Sequence, residues 1–337
     1  MRFNIFGVRF FFSRLIFELK CVLSDISNYT KNKRKLNELS GQSYNLFVCS
    51  LPFLYGKKWQ VVSQTELWER FSERDDVILC GSFLSYKIFG RRAKNVVSLE
   101  PKYNAPKIKF SKKHDKVIVF LSDAHSKSWL NKYIKKNNIT DIITPYKKTL
   151  LDTGFSSELI QNKVHSFPWC VNDHIVSGDQ VRARSNEVLG FGKTGSKVYD
   201  LREWSFDSGE VVSFNYAGSG NQKFSGDSFY FWLRNYDACV VGMSTIPLYN
   251  YTVAKFFEIP SQGLLLFAFP TVDIAELGFE DGVNCIFVTK ENFKNKLEHF
   301  KNDPNLFISI REAGVKFIKE HHTVSVRLKM INNLLNN

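Results

Sequence analysis

The unbroken apolar run Leu264-Leu-Leu-Phe-Ala-Phe269, bounded by Gly263 and Pro270, constrains the fold of this chain more than any other stretch. A run of that length reads as a strand buried on both faces, as in a parallel sheet with helices packed on each side. The preceding segment, Asn250 to Gly263, then reads as a short crossover helix with one end at the carboxyl edge of the sheet, where α/β proteins bind ligands. It carries Lys255 and Glu258 among mostly apolar neighbours. Three residues apart, the two charges can form an exposed pair worth roughly half a kcal/mol or less. They can also recognise a ligand: a carboxylate accepts ribose hydroxyls, and an ammonium beside the free N–H groups of a helix start holds a diphosphate.

Other segments extend the α/β pattern. Strand Lys116 to Leu121 ends in Ser122-Asp-Ala-His125, so Asp123 and His125 are placed to face a cleft, His125 as general base or sugar ligand and Asp123 orienting it or acting instead. Strand Asn186 to Phe191 leads into Gly192-Lys-Thr-Gly-Ser-Lys197, a turn whose backbone N–H groups can approach phosphate, with Lys193 adding charge. The Walker A spacing is absent.

Several motifs resemble one family. Lys255-Phe-Phe-Glu-Ile-Pro-Ser-Gln-Gly-Leu-Leu-Leu is similar to the Lys-aromatic-aromatic-Glu, Gly, apolar-strand signature of group 1 glycosyltransferases with a GT-B fold, and within them to the bacterial spore-maturation-type branch. Tyr199-Asp-Leu-Arg202 resembles the family's Tyr-Pro-Leu-Arg step, with Asp200 in place of Pro. Pro168 to Asn172 resembles its domain junction, Gly226 to Asn235 its next helix, and Gly278-Phe-Glu-Asp-Gly-Val-Asn284 its Gly-Phe-x-Asp-Gly loop. The likeness covers residues 115 to 330 and is strongest from Gly226 to Val288.

The resemblance implies two Rossmann-like domains across an interdomain cleft, with a C-terminal helix returning to the first domain. The expected bounds are 1–171 for the acceptor side, 172–322 for the nucleotide-sugar side and 323–337 for the helix. It also implies a transferase that needs neither metal nor cofactor and moves a sugar from a nucleoside diphosphate to a glycan or lipid-linked acceptor, as in cell-surface polysaccharide synthesis. In that frame Lys255 and either Arg202 or Lys193 bind phosphate, Glu258 binds ribose, and Gly192 and Gly263 allow close backbone approach. Asn250 occupies a position that is acidic in many members. A polyol-phosphate transferase and a non-catalytic GT-B module that binds a glycan or partner are the alternatives.

A formal net charge of +13 favours an anionic partner, namely nucleic acid, an acidic membrane surface or a phosphorylated substrate. No RNA-binding aromatic motif, zinc finger or repeat accompanies the charge, which argues against nucleic acid. The six cysteines are scattered without metal-ligand spacing, as expected in a reducing cytosol and against a zinc site. Charges interrupt the apolar stretch Met1 to Asp25 and exclude a spanning helix. As a helix it carries a basic stripe, Arg2, Arg9, Ser13, Lys20 and Ser24, opposite an aromatic face. Within a basic extension over residues 1–40, such a helix either lies on an anionic membrane or packs as an ordinary first helix. The expected location is cytoplasmic, peripheral on the inner face of the membrane.

Overall fold

The computed structural model describes residues 5–56, 62–100, 104–122, 130–152, 163–176, 181, 183, 185–215 and 226–337. Two parallel sheets organise it. The first holds β1 (Asn45–Val48), β2 (Val77–Cys80), β3 (Asn95–Ser98), β4 (Lys116–Phe120), β5 (Asp141–Thr144) and β6 (Val164–Ser166), in the order β2-β1-β3-β4-β5-β6. The second holds β7 (Val188–Phe191), β8 (Val212–Phe214), β9 (Ala238–Val241), β10 (Leu265–Ala268) and β11 (Ile286–Phe287), in the order β11-β10-β9-β7-β8. Every pairing is parallel. All four residues of β10 are buried, as the apolar run requires.

Each sheet reverses its winding once, between β1 and β3 in the first and between β7 and β9 in the second. Loops leaving the sheet on either side of such a reversal diverge and leave a crevice at the carboxyl edge. The two carboxyl edges face each other: Tyr146, just past β5, packs its ring on Tyr251, in the loop past β9, with centroids 4.4 Å apart. Lys148 reaches Glu276 at 3.7 Å nearby.

Helices around the first sheet include α1 (Ile5–Glu38), α2 (Leu51–Leu54), α3 (Val62–Glu73), α4 (Phe83–Phe89), α5 (Leu130–Asn137) and α6 (Lys147–Asp152). The second sheet carries α7 (Asp200–Asp207), α8 (Asp227–Leu233), α9 (Lys255–Ser261), α10 (Phe293–Asn302) and α11 (Ile308–His321). The last helix, α12 (Val324–Asn336), returns to the first domain and packs on α3. At this crossing Val171 and Thr323 form a parallel β-bridge, and Arg327 donates to the carbonyls of Pro168 and Trp169 at 2.7 and 3.1 Å. The two segments that link the domains are therefore bonded to each other.

One expectation needs correction. The helix expected over Asn250 to Gly263 occupies only Lys255–Ser261. The Asp273 carboxylate accepts from the backbone N–H and the hydroxyl of Thr252 at 3.2 and 2.7 Å, which holds the preceding residues out of helical geometry. The N-terminal helix runs on to Glu38, through the basic run Lys31 to Lys35, and it does not turn an apolar face inward.

Its inward seam is polar. The Asp25 carboxylate accepts from the Gly81 N–H at 3.2 Å, from the Ser82 hydroxyl at 2.7 Å and from the Ser85 hydroxyl. Asn28 and Asn32 donate to the Leu79 carbonyl at 3.0 and 2.8 Å. Leu79 lies on β2, the edge strand, so the helix covers backbone acceptors that would otherwise be open to pairing. No helix among the described residues is long and apolar enough to cross a membrane.

Candidate functional site

The second sheet's reversal point is where the chain gathers buried cations. Gly192 follows β7 with φ +119°, a conformation open to glycine but strained for other residues. A side chain there would collide with the Lys255 ammonium, and its first carbon would lie 3.0 Å from Nη1 of Arg202. Lys255, at the start of α9, donates to the Phe191 carbonyl and lies 4.0 Å from the centre of the Phe191 ring. Arg202, on α7, donates to the Lys193 carbonyl at 2.9 Å and stacks over Tyr199 at 4.4 Å.

Burial pushes the Lys255 amine well below its ordinary range, and the Arg202 charge beside it pushes the same way. Burial likewise lowers Arg202. Among the described residues neither cation has a carboxylate within ion-pair distance. Two desolvated cations converging on a glycine turn form a site in which an anion would recover the energy lost to burial.

Glu258 lies one helical turn further along α9 and is 7% exposed. Burial raises its carboxyl to about 7, against the opposing pull of Lys255. None of the described groups donates a hydrogen bond to this carboxylate. The Tyr230 hydroxyl is buried without a hydrogen-bond partner among the described residues; burial raises it well above its usual range, and the Glu258 charge adds to the shift. A buried acid left unsatisfied is costly to the fold and suited to a ligand that brings its own donors.

This arrangement carries a stability prediction. Because folding raises the Glu258 pKa, its contribution to stability is complete below the ordinary carboxyl range and is lost as pH rises through about 7. Glu258→Gln removes that dependence. The variant is expected to melt at a higher temperature than the parent at about pH 8, by up to about 3 kcal/mol, with the gap narrowing towards pH 5. A gap that stays constant between those pH values would disprove the assignment.

The remaining predicted residues divide. Lys193 contributes its backbone carbonyl, while its side chain is exposed. Asn250 donates to the Pro270 carbonyl at 3.3 Å, and its side-chain oxygen is buried without a partner among the described residues. Gly263 is not brought to the cations. It sits beyond the opposite end of α9, where its carbonyl accepts from Arg311 at 2.7 Å and its α-carbon faces Val181. Asp123 and His125 lie outside the described residues. Asp200, the departure from the family's Pro, accepts from the Thr245 backbone and hydroxyl at 3.0 and 2.6 Å, tying the loop past β9 to the start of α7.

One residue escaped the sequence reading. Glu100 follows β3, next to the reversal point of the first sheet, and is 5% exposed. The Ser122 hydroxyl, past β4, donates to its carboxylate at 3.2 Å. As a polar residue just past a buried strand, Glu100 is placed to face the cleft. Among the described residues no group of three His, Cys, Asp or Glu side chains is placed to hold a metal ion. All six cysteines are buried and free.

Residues 202–333 match the family described as Glycosyl transferase-like. No curated protein matches the chain. Among solved structures it is similar to Alr3699/HepE from Anabaena in complex with UDP-glucose, with 11% identity over 87% of this chain and 99% of that one and a TM-score of 0.57. A glycosyltransferase from Rickettsia africae ESF-5 shares 9% identity over 87% and 98% of the two chains, with a TM-score of 0.53. A mutant of S. aureus TarM in complex with fondaparinux, alpha-GlcNAc-glycerol and UDP shares 14% identity over 75% of this chain and 58% of that one, with a TM-score of 0.50. The chain thus spans little more than half the length of the TarM structures, 55% of one and 58% of the other. The shared fold is GT-B, with two Rossmann-like sheets and flanking helices.

Proposed function

We propose that this chain, whose residues 202–333 match a glycosyl transferase-like family, moves a sugar from a nucleoside diphosphate to a glycan or lipid-linked acceptor, as in cell-surface polysaccharide synthesis. The observation that carries this reading is the convergence of Lys255 and Arg202 on the Gly192 turn, buried and without ion pairs among the described residues. As the glycosidic bond breaks, negative charge accumulates on the departing diphosphate. Cations already fixed in a low-dielectric site stabilise that charge more than they stabilise the intact donor. No metal is needed for that task.

In this scheme the Glu258 carboxylate accepts the ribose hydroxyls, and Asn250 faces the transferred sugar. The acceptor is held across the cleft by the first domain, where Glu100, Asp123 and His125 are the groups available to take its proton. Buried free cysteines agree with a cytoplasmic location.

A thermal-shift screen against uridine, guanosine, cytidine, adenosine and thymidine diphosphates tests the reading. One nucleotide is expected to raise the melting temperature, by roughly 3 kcal/mol of added stability at a hundredfold excess over its dissociation constant. Uridine diphosphate comes first in the screen, because Alr3699/HepE and TarM were solved with uridine nucleotides. A shift by none of the five would overturn the proposal. Asn250 in place of an acid favours a second reading, a non-catalytic GT-B module that binds a glycan or partner. That module would release no nucleoside diphosphate from any donor.

A further inference from the structure

The helix α1 sits on the first domain with its faces reversed. Its polar seam packs inward, while Phe12, Leu15, Ile16, Leu19, Leu23 and Ile26 are left between 45% and 68% exposed. At 100° per residue these six fall on one side of the helix, opposite Cys21, Asp25, Asn28 and Asn32. Beside it, α4 leaves Phe83, Leu84 and Ile88 exposed, and Tyr29 of α1 meets Phe89 of α4 with ring centroids 5.5 Å apart. A contiguous apolar surface of this size is rarely left to water.

Charge indicates what covers it. Over residues 12–34 the exposed positions include Lys20, Lys31, Lys33 and Arg34 and no acid. The two acids of that span, Glu18 and Asp25, are turned to the domain, where they accept from the Lys107 N–H and from Gly81, Ser82 and Ser85. The exposed side of α4 adds Lys87, followed by Arg91 and Arg92. On the flank of α1 a shallow depression against α2, lined by Ser24, Ser27, Asn28, Lys31 and Tyr55, offers hydroxyl, amide and ammonium groups. A second copy of the chain would meet this face with the same cations and no acid to answer them. An anionic bilayer supplies both an apolar layer and facing negative charge.

We propose that the outer face of α1, with α4 beside it, docks in the plane of an anionic lipid bilayer, apolar side chains entering the acyl boundary and the lysines and Arg34 meeting headgroups. The helix runs antiparallel to β2: Lys35 bonds to Arg74 before the strand, and Asp25 to Gly81 after it. Its N-terminal portion therefore extends past the carboxyl edge of the first sheet by roughly 30 Å, at 1.5 Å per residue. Docking along that length holds the mouth of the cleft against the membrane, within reach of a lipid-borne acceptor. The docking surface itself does not depend on the sugar-transfer reading.

The test is co-sedimentation of the full chain with vesicles of phosphatidylcholine alone or mixed with phosphatidylglycerol, beside the double variant Leu19→Glu/Leu23→Glu. Both leucines are more than half exposed, so the variant keeps the parent's melting temperature. The parent is expected to sediment with the phosphatidylglycerol vesicles, and the double variant to lose binding roughly tenfold or more. Lys31→Ser/Lys33→Ser/Arg34→Ser should weaken binding to the anionic vesicles only. A parent that stays in the supernatant with both vesicle types, or a double variant that binds as the parent does, overturns the proposal. So does a dimer, seen by light scattering, that Leu19→Glu/Leu23→Glu dissociates while the parent ignores vesicles.

Discussion

On the proposed function, Lys255→Ala is expected to lower the turnover number of sugar transfer by roughly two to three orders of magnitude, the usual cost of removing one preorganised group aimed at developing charge. The ammonium is held by the Phe191 carbonyl and ring, and Gly192 leaves the space in front of it open. Its position is thus fixed without a ligand, and on that reading no reorganisation would be needed when the glycosidic bond breaks. The fold does not depend on the charge. Burial drives the amine well below its ordinary range, so Lys255→Met, which keeps the stem and drops the cation, should melt no lower than the parent. Measuring kcat and KM separately on the donor found by thermal shift distinguishes the roles. A rise in KM at constant kcat would reduce Lys255 to a ground-state contact. An unchanged kcat/KM would remove it from the mechanism altogether.

Asp237→Ala should produce the largest loss of stability, about 3 to 5 kcal/mol, because it leaves a buried guanidinium without its counter-ion. Nη2 of Arg311 lies 2.6 Å from the Asp237 carboxylate, and the two side chains are 2% and 0% exposed. The pair joins separate parts of the second domain. Asp237 also accepts from the Ser185 N–H at 2.7 Å, and Arg311 also donates to the Gly263 carbonyl. Arg311 comes from α11, so a single ion pair ties that helix to the end of α9, the start of β9 and the approach to β7. The double replacement Asp237→Leu/Arg311→Leu removes both charges and should recover most of the loss. If the single variant melted within a degree of the parent, the pair would not bear on stability.

The sheets were legible in the sequence because buried parallel strands are nearly pure apolar runs. Leu264 to Phe269 and Lys116 to Leu121 needed no tertiary information to recognise. The cation site was legible for a related reason: Lys255 stood out against apolar neighbours, Gly192 lay where a phosphate turn would put it, and Arg202 was implied by the resemblance of Tyr199 to Arg202 to a family step. The packing face of the N-terminal helix was not legible. Periodicity locates a stripe but not the side that faces the protein, and α1 is held by Asp25, Asn28 and Asn32 bonded to backbone and hydroxyl groups. A hydrogen-bonded seam has no hydrophobic signature, so the stripe of Arg2, Arg9, Ser13, Lys20 and Ser24 did not mark the side that packs. Glu100 was missed because one acid after a short strand looks like any loop residue until β3 and β4 are seen side by side.

The return of α12 to the first domain bears on how the chain leaves the ribosome. Ile331 and Leu335 belong to the buried core, and Asn95 and Lys116 donate to the carbonyls of Leu335 and Leu334 at 3.3 and 2.6 Å. Arg70 of α3 bonds to Ser325. The first domain's strands are thus synthesised well before the helix that covers them, with the entire second domain made in between. During that interval α3 and the adjoining sheet lack the apolar cover that α12 later provides. Vectorial, domain-by-domain folding, the common route for chains of this size, is therefore expected to leave the N-terminal half incompletely packed until α12 is made. Nascent-chain yield should accordingly depend on elongation rate and on holding chaperones, and a stop codon placed before Val324 would leave α3 and the adjoining sheet without their cover.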